Sequence, residues 1–61
     1  MMNIRILHKD GKDEVYKDVI KTTMAHNEYG SVMIHIFTKI STFEVREHDT
    51  LFVQYWDEDS A

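Results

Sequence analysis

The sequence has no cysteine and no proline, and it has only two glycines among its 61 residues. Without cysteine the chain forms neither disulfides nor thiolate metal sites such as zinc ribbons and CxxC redox motifs. Two isolated glycines cannot build the glycine-rich loop that cradles a phosphate group. A domain of this size buries only about 60% of the surface that its unfolded chain exposes. Because small domains usually need an additional source of stability, a partner subunit becomes a serious candidate.

Long hydrophobic runs are missing as well. No apolar stretch approaches the roughly 18 residues that cross a bilayer. The amino-terminal apolar segment is too short for a signal peptide and lacks a small-residue cleavage site. We therefore expect a cytoplasmic protein without a membrane partner. At 43% hydrophobic residues, the chain is too apolar to be disordered.

What the sequence does contain is β-forming residues. Twenty-three positions are Val, Ile, Thr, Phe, Tyr or Trp, which suit a pleated, half-buried surface. Alternating residues predict a strand at about 2–8, and Asp10 with Gly11 predicts a hairpin turn after it. Further strands are predicted at 31–39, 42–46 and 51–56. These features predict an all-β fold, a small five- or six-stranded bent antiparallel sheet or an SH3-like barrel. We expect a single β domain over 1–56 and an acidic C-terminal tail over 57–61.

Residues 13–26 fit two kinds of structure. Apolar residues recur there at helical spacing, and two acidic residues at the start suit the positive N-terminus of a helix. The same segment places Tyr16, Ile20 and Met24 on one face of a strand, and its β-branched residues lower helix propensity. We predict a strand with a kink near residues 17–18, and a helix is the alternative.

Two predicted strands carry apolar residues on both faces. The faces expected to point into the core consist of Val32, Ile34, Ile36, Leu51, Val53 and Tyr55. A core of this size accommodates one face of each strand, so the opposite faces form an exposed apolar patch of a kind that marks interaction surfaces. The predicted interface consists of Met33, His35, Phe37, Phe52 and Trp56. We expect it to serve self-association, most commonly as a symmetric homodimer. The alternative is that the sheet curls enough to bury both faces, or that the terminal strands cover the second face.

Charge is distributed unevenly along the chain. Residues 1–25 sum to +1 and residues 26–61 sum to −5, which gives the net charge of −4. An acidic surface argues against direct binding to nucleic-acid phosphates and suits a protein partner with a basic surface. The acidic residues expected to steer such a partner are Glu44, Glu47, Asp49, Asp57, Glu58 and Asp59. The alternative is a solvated acidic face with a loose tail.

The chain offers little catalytic chemistry. Its four histidines show neither HxxxH nor HxH spacing, and the serines have no sequence-local base and no GxSxG elbow. We therefore predict no enzyme activity, no cofactor and no metal site. His35 lies between Met33 and Phe37 on a strand face, which is typical of a packed or interface histidine. Its protonation near pH 6 is expected to weaken association.

The order of segments in this chain resembles that of a group of very small proteins. The segments concerned are 4–7, the Asp10 and Gly11 turn, Val15 and Tyr16, Val19, 32–37, 43–45 and 51–56. They resemble the very small all-β proteins of phages and mobile elements of Gram-positive bacteria, several of them SH3-like. That resemblance implies an accessory viral protein, a class that includes stoichiometric inhibitors of bacterial defence systems, such as anti-CRISPR-like inhibitors. No site motif matches, so no functional residue is carried over.

Sequence and resemblance together predict a non-enzymatic, acidic, dimeric protein that binds another protein. Its specific form would be a phage-encoded inhibitor of a host defence or nucleic-acid-processing enzyme, acting in the host cytoplasm by steric occupation. Two alternatives remain, a small-molecule-sequestering dimer and a structural or assembly accessory protein.

Overall fold

Five antiparallel strands form one open sheet. A computed structural model describes residues 1–57 of the chain. The strands are β1 (Met2–His8), β2 (Asp13–His26), β3 (Val32–Thr38), β4 (Thr42–Arg46) and β5 (Thr50–Asp57), with a 3-10 turn at Glu47–Asp49. Their order across the sheet is β4-β3-β2-β1-β5, and within residues 1–57 no pairing of β4 with β5 closes a barrel. The predicted all-β class is confirmed, in its five-stranded bent-sheet form.

The turn between β1 and β2 shows why glycine is required there. The His8 N–H donates to the Lys12 carbonyl over 2.7 Å, and the Gly11 N–H donates to the His8 carbonyl over 2.9 Å. This is a three-residue hairpin loop whose last residue takes the left-handed conformation, and Gly11 has φ +94°. Asp10 stabilises the loop differently, because its Oδ1 accepts a hydrogen bond from the Lys12 N–H at 2.9 Å.

A bulge bends β2 near its middle. The segment Asp13–His26 is one continuous strand, so the strand prediction is confirmed and the helical alternative is wrong. Two residues of β2, Lys17 and Asp18, lie opposite Asn3, and Asp18 has φ 56°. The Oδ1 of the buried Asn3 accepts a hydrogen bond from the Asp18 N–H at 3.2 Å. Because an extra residue bends the strand that carries it, the predicted kink lies at this bulge.

The bend divides the sheet into two halves. The first half consists of β5, β1 and β2 up to Asp18. The second half consists of the rest of β2 with β3 and β4, since β2 pairs with β3 only from Val19 onward. The rings of Tyr16 in the first half and Phe43 in the second lie 4.9 Å apart between centroids, so the two halves pack against each other.

The core lies on the side of the sheet enclosed by the bend, which we call the inner face. Its buried hydrophobic residues are Ile4, Ile6, Tyr16, Val19, Ile36 and Val45, with Met2, Ile34 and Val53 packed against them. Both halves contribute, because residues with no measurable exposure occur on β1 (Ile6) and on β3 (Ile36). The opposite side is the outer face. The last strand extends to Asp57, one residue beyond the predicted domain end, and the tail residues Glu58 and Asp59 lie outside the described residues.

Candidate functional site

The predicted interface residues all lie on the outer face, but on two separate strands. Met33, His35 and Phe37 belong to β3, whereas Phe52 and Trp56 belong to β5. Strands β2 and β1 lie between them in the sheet order, and β1 pairs with residues 13–19 of β2 whereas β3 pairs with residues 19–26 beyond the bend. The structure therefore divides the expected patch into a β3 cluster and a β5 cluster.

Charged neighbours from the same chain surround the β3 cluster. The Lys21 Nζ lies 4.9 Å from the centre of the Phe37 ring. The Nδ1 of His35 lies 3.7 Å from the Glu44 Oε2, and Arg46 is opposite Met33 in the β3–β4 register. All three members of the cluster are half-buried. The alternative expectation, that the chain itself covers both faces of the strand, therefore applies in part to β3.

The β5 cluster has a different environment. Strand β5 is at the edge of the sheet, and its cross-strand neighbours on β1 include Leu7 opposite Phe52 and Asn3 opposite Trp56. Trp56 is half-buried, but Phe52 is 52% exposed. On the inner face of the same strand, Tyr55 is exposed although it was predicted to point into the core. Leu51 is also exposed, so of the three predicted inner-face residues only Val53 packs against the core.

Exposed apolar side chains outnumber buried ones in the described residues. The core holds six buried hydrophobic residues, whereas ten large hydrophobic residues are exposed. They include Val15 and Ile40, which line a groove of about 250 Å³ together with Lys17 and Phe43. Sequence reasoning missed this groove because it forms only where the bend brings β2 toward the β3–β4 turn.

The acidic residues predicted to steer a partner are not one patch. Glu44 lies on the outer face of β4, and Glu47 and Asp49 lie in the 3-10 turn that follows. Lys9 and Lys12 share a concavity with Asp49, so cations are interleaved with these carboxylates. Asp57 lies at the far end of β5, on the order of 25 Å along the strand, and pairs with the N-terminal ammonium group at 3.1 Å.

A polar cluster at the end of the β1–β2 hairpin was also missed. The Nε2 of His8 lies 2.7 Å from the Oε1 of Glu14. Burial, followed by the charge of Glu14 and a hydrogen bond to it, raises the pKa of Tyr16 to about 12. These groups line a concavity of about 350 Å³, in which no Ser, Thr or Cys is present among the described residues. The hairpin register, which puts His8 and Glu14 on the same face of adjacent strands, was a signal that could have found the pair.

A charge-paired hydrogen bond also ties the outer face of the β1–β2 hairpin. The Arg5 Nε donates to Asp13 Oδ1 over 2.9 Å. That hydrogen bond and the guanidinium charge lower the pKa of the Asp13 carboxyl. The hydrogen bond and the charge of Asp13 in turn raise the pKa of Arg5. The pair is exposed to solvent, so it orients the two side chains without making a binding site.

Metal centres and spanning helices are absent from the described part of the chain. Across residues 1–57, no group of three or more His, Asp or Glu could hold a metal ion. The helical structure there consists of one three-residue turn, which is far too short to cross a bilayer. Comparison of the chain with protein-family models, with curated protein sequences and with solved structures finds no match.

Proposed function

We propose that this protein is a non-enzymatic interaction protein that associates with itself and binds a second protein. The observation that carries this proposal is the excess of exposed over buried large hydrophobic side chains in residues 1–57. Exposed apolar surface that a monomer cannot enclose is typical of interaction sites. Phe52 and Trp56 belong to the residue types that dominate the binding energy of interfaces, or fill their cores.

The specific form that we propose is a phage-encoded, stoichiometric inhibitor of a bacterial defence or nucleic-acid-processing enzyme, acting in the host cytoplasm. Two observations support it, the resemblance to small phage proteins and the net charge of −4. Enzymes that process nucleic acids carry basic grooves, and an acidic protein can occupy such a groove and exclude the substrate. Inhibition would be steric and would require no chemistry.

The two binding roles use different parts of the surface. The same aromatic residues cannot serve both self-association and partner capture, and we assign Phe52 and Trp56 to self-association. The acidic residues Glu44, Glu47 and Asp49 then remain to steer the partner, with Phe37 on the neighbouring strand β3 as the candidate apolar anchor. Steering by charge mainly raises the association rate and makes that rate sensitive to salt.

A sequestering role has one feature in its favour. The groove beside Val15 and Phe43 is largely apolar, and a small ligand would fit its volume of about 250 Å³. Sites for drug-sized ligands usually enclose about 300–1,000 Å³, so the groove is small and open for that purpose. A role as an assembly accessory protein would require association beyond the dimer.

Affinity capture followed by an activity titration tests the proposal. The tagged chain is incubated with bacterial lysate, captured proteins are identified, and the purified partner enzyme is titrated with the protein. We expect inhibition that reaches completion at a fixed molar ratio. An enzyme that stays fully active at saturation, or the absence of any captured protein, would contradict the proposal.

Charge variants then identify the steering surface. Glu47→Gln should slow association with the captured enzyme at low salt by a few-fold, because it removes one exposed carboxylate from that surface. Asp18→Asn is the matched control, since it removes the same charge at the bend and asparagine also tolerates positive φ. Equal effects of the two variants would show that net charge alone, without a located surface, controls association.

A further inference from the structure

The two outer edges of the sheet differ in protection. Strand β4 has five residues, with Glu44 and Arg46 on it, and short charged edges resist pairing with other chains. Strand β5 has eight residues, and positions 50–56 contain no charged residue, no proline and no glycine. Within residues 1–57 no strand pairs with the outer edge of β5. A long, uncharged, apolar edge of this kind is a template for pairing with another strand.

Alternation along the strands identifies the backbone groups on that edge. The His8 N–H donates to the Lys12 carbonyl, so His8 directs its backbone toward β2. Backbone groups of successive strand residues point to opposite edges, and Arg5 and its odd-numbered neighbours therefore face β5. Gln54 lies opposite Arg5 and faces β1 in return. The backbone N–H and C=O groups of Val53 and Tyr55 thus point away from β1, toward the open edge.

We propose that two copies of the chain pair through β5, antiparallel, about a two-fold axis at Gln54. In this register Val53 of each copy is opposite Tyr55 of the other, and the two pairs exchange four backbone hydrogen bonds. Phe52 is opposite Trp56 on the outer face, and the two Gln54 side chains meet at the axis. Aromatic residues face aromatic or β-branched residues and an amide faces an amide, which are favourable cross-strand pairs.

The uncharged, self-complementary segment 50–56 is the reason why a second copy is the occupant. Two molecules with a net charge of −4 repel each other, and they come together at the least cost where no carboxylate faces another. Positions 50–56 provide such a segment, and a two-fold axis requires that the segment be complementary to itself. The result is a continuous ten-stranded sheet. The inference rests on the proposed self-association but is independent of any target enzyme.

Complementary charges at the axis test the register. Gln54→Lys and Gln54→Glu each place two like charges opposite each other, and each should raise the dimer dissociation constant about fivefold. An equimolar mixture of the two variants should recover the affinity of the unmodified protein, because the unlike pair attracts. Sedimentation equilibrium over a concentration series measures all four samples. A mixture that associates no better than either variant would overturn the register.

Backbone methylation tests the edge itself. A chain of 61 residues without cysteine is accessible to stepwise synthesis, and N-methylation of Val53 removes one outward N–H without touching the β1 side. By symmetry the dimer loses two hydrogen bonds, and its dissociation constant should rise roughly thirtyfold. N-methylation of Glu44 is the matched control. The Thr38 N–H donates to the Ser41 carbonyl, so alternation directs the Glu44 N–H to the outer edge of β4.

Circular dichroism confirms that each modified chain is folded before association is measured. A monomeric unmodified protein at all concentrations, equal effects of the two methylations, or filaments that use both edges would each overturn the β5 proposal. The target titration separates this outcome from failure of the proposed function. If inhibition persists with a monomeric methylated chain, the protein inhibits without the β5 dimer, whereas a stable β5 dimer with no inhibited enzyme refutes the inhibitor role and supports the β5 pairing.

Discussion

The halves of the sheet on either side of the bend both contribute fully buried residues to the core but end in opposite kinds of edge. Ile6 in the first half and Ile36 in the second have no measurable exposure. The second half ends in β4, which is short and charged, and the first half ends in β5, which is longer and uncharged from 50 to 56. A shared core therefore does not imply equivalent surfaces, and the β5 edge exposes Leu51, Phe52 and Tyr55.

The second apolar face of a strand has different surroundings in the two halves. Strands β3 and β5 both carry apolar residues on both faces. In β3, an interior strand, flanking strands supply Lys21, Glu44 and Arg46 around the second face. In β5 one flank is open, so Phe52 keeps half of its surface exposed. Apolar residues on both faces of a strand therefore do not by themselves indicate an interface, because flanking strands can supply neighbours for the second face.

The largest effect is expected from truncation of the shared core. Ile6→Ala and Ile36→Ala should each lower the free energy of unfolding by about 3 kcal/mol, because both remove fully buried methyl groups and leave a cavity. Urea unfolding followed by circular dichroism measures this, and the milder Ile→Val changes keep the comparison accessible if an alanine variant does not fold. Two separate transitions, or a loss confined to one half, would show that the halves do not share one core.

The free energy of unfolding should fall at alkaline pH because of Tyr16, the residue whose ring contacts Phe43 across the bend. The pKa of Tyr16 in the folded chain is about 12, above the ordinary value near 10 of an unfolded chain. The stability that this pKa difference contributes is fully present below pH 10. It is lost as the pH rises from 10 to 12, because the unfolded chain has by then released the Tyr16 proton. The loss is on the order of 2 kcal/mol.

Tyr16→Phe should remove that part of the pH dependence while keeping the ring against Phe43. Urea unfolding midpoints from pH 8 to 11.5 measure how the free energy of unfolding changes with pH. Tyr29→Phe is the control because Tyr29 is 85% exposed. An unchanged slope in the Tyr16 variant would contradict the assignment.

Substitutions at Asn3 and Asp18, whose hydrogen bond lies at the bend, should change the free energy of unfolding by different amounts. Asn3→Ala leaves the Asp18 N–H without its acceptor, but it also removes the buried Asn3 Nδ2, which has no hydrogen-bond partner among the described residues. We expect a net loss of about 1 kcal/mol. Asp18→Gly should be neutral or slightly stabilising because glycine adopts positive φ without steric cost. Thermal unfolding measures the stability of both variants. A large loss of stability in the Asp18→Gly variant would show that the Asp18 side chain has another role.

The smallest effect is expected at His35, and it distinguishes the two clusters as dimer surfaces. His35 lies on β3, separated from β5 by two strands, so His35→Gln should change the dimer dissociation constant by less than about twofold at pH 5.5 and at pH 8. The weakening near pH 6 predicted from sequence requires instead that association use the β3 cluster. Sedimentation equilibrium at both pH values separates these expectations.

Much of the strand layout was predictable because it depends on local patterns. Alternation located β1 at its observed bounds, and β-branched residues correctly favoured a strand for β2 over a helix. The site was less predictable. Nothing local to 31–39 or 51–56 indicates that one becomes an interior strand and the other an edge, so the two were expected to form one patch. The Tyr16 contact with Phe43 was missed for the same reason, since it depends on how far the sheet bends.

Taken alone, the sequence determined the all-β class, the glycine turn and the acidic charge, because each follows from properties of neighbouring residues. It favoured a strand over 13–26 but left a helix as the alternative. Only the tertiary structure decided the strand order and the bend at Asp18, and with them which apolar faces are covered. The physical reason is that burial is a property of pairs of surfaces, and strand pairing between β1 and β5 joins segments more than forty residues apart. The order of the strands left β5 with one open side.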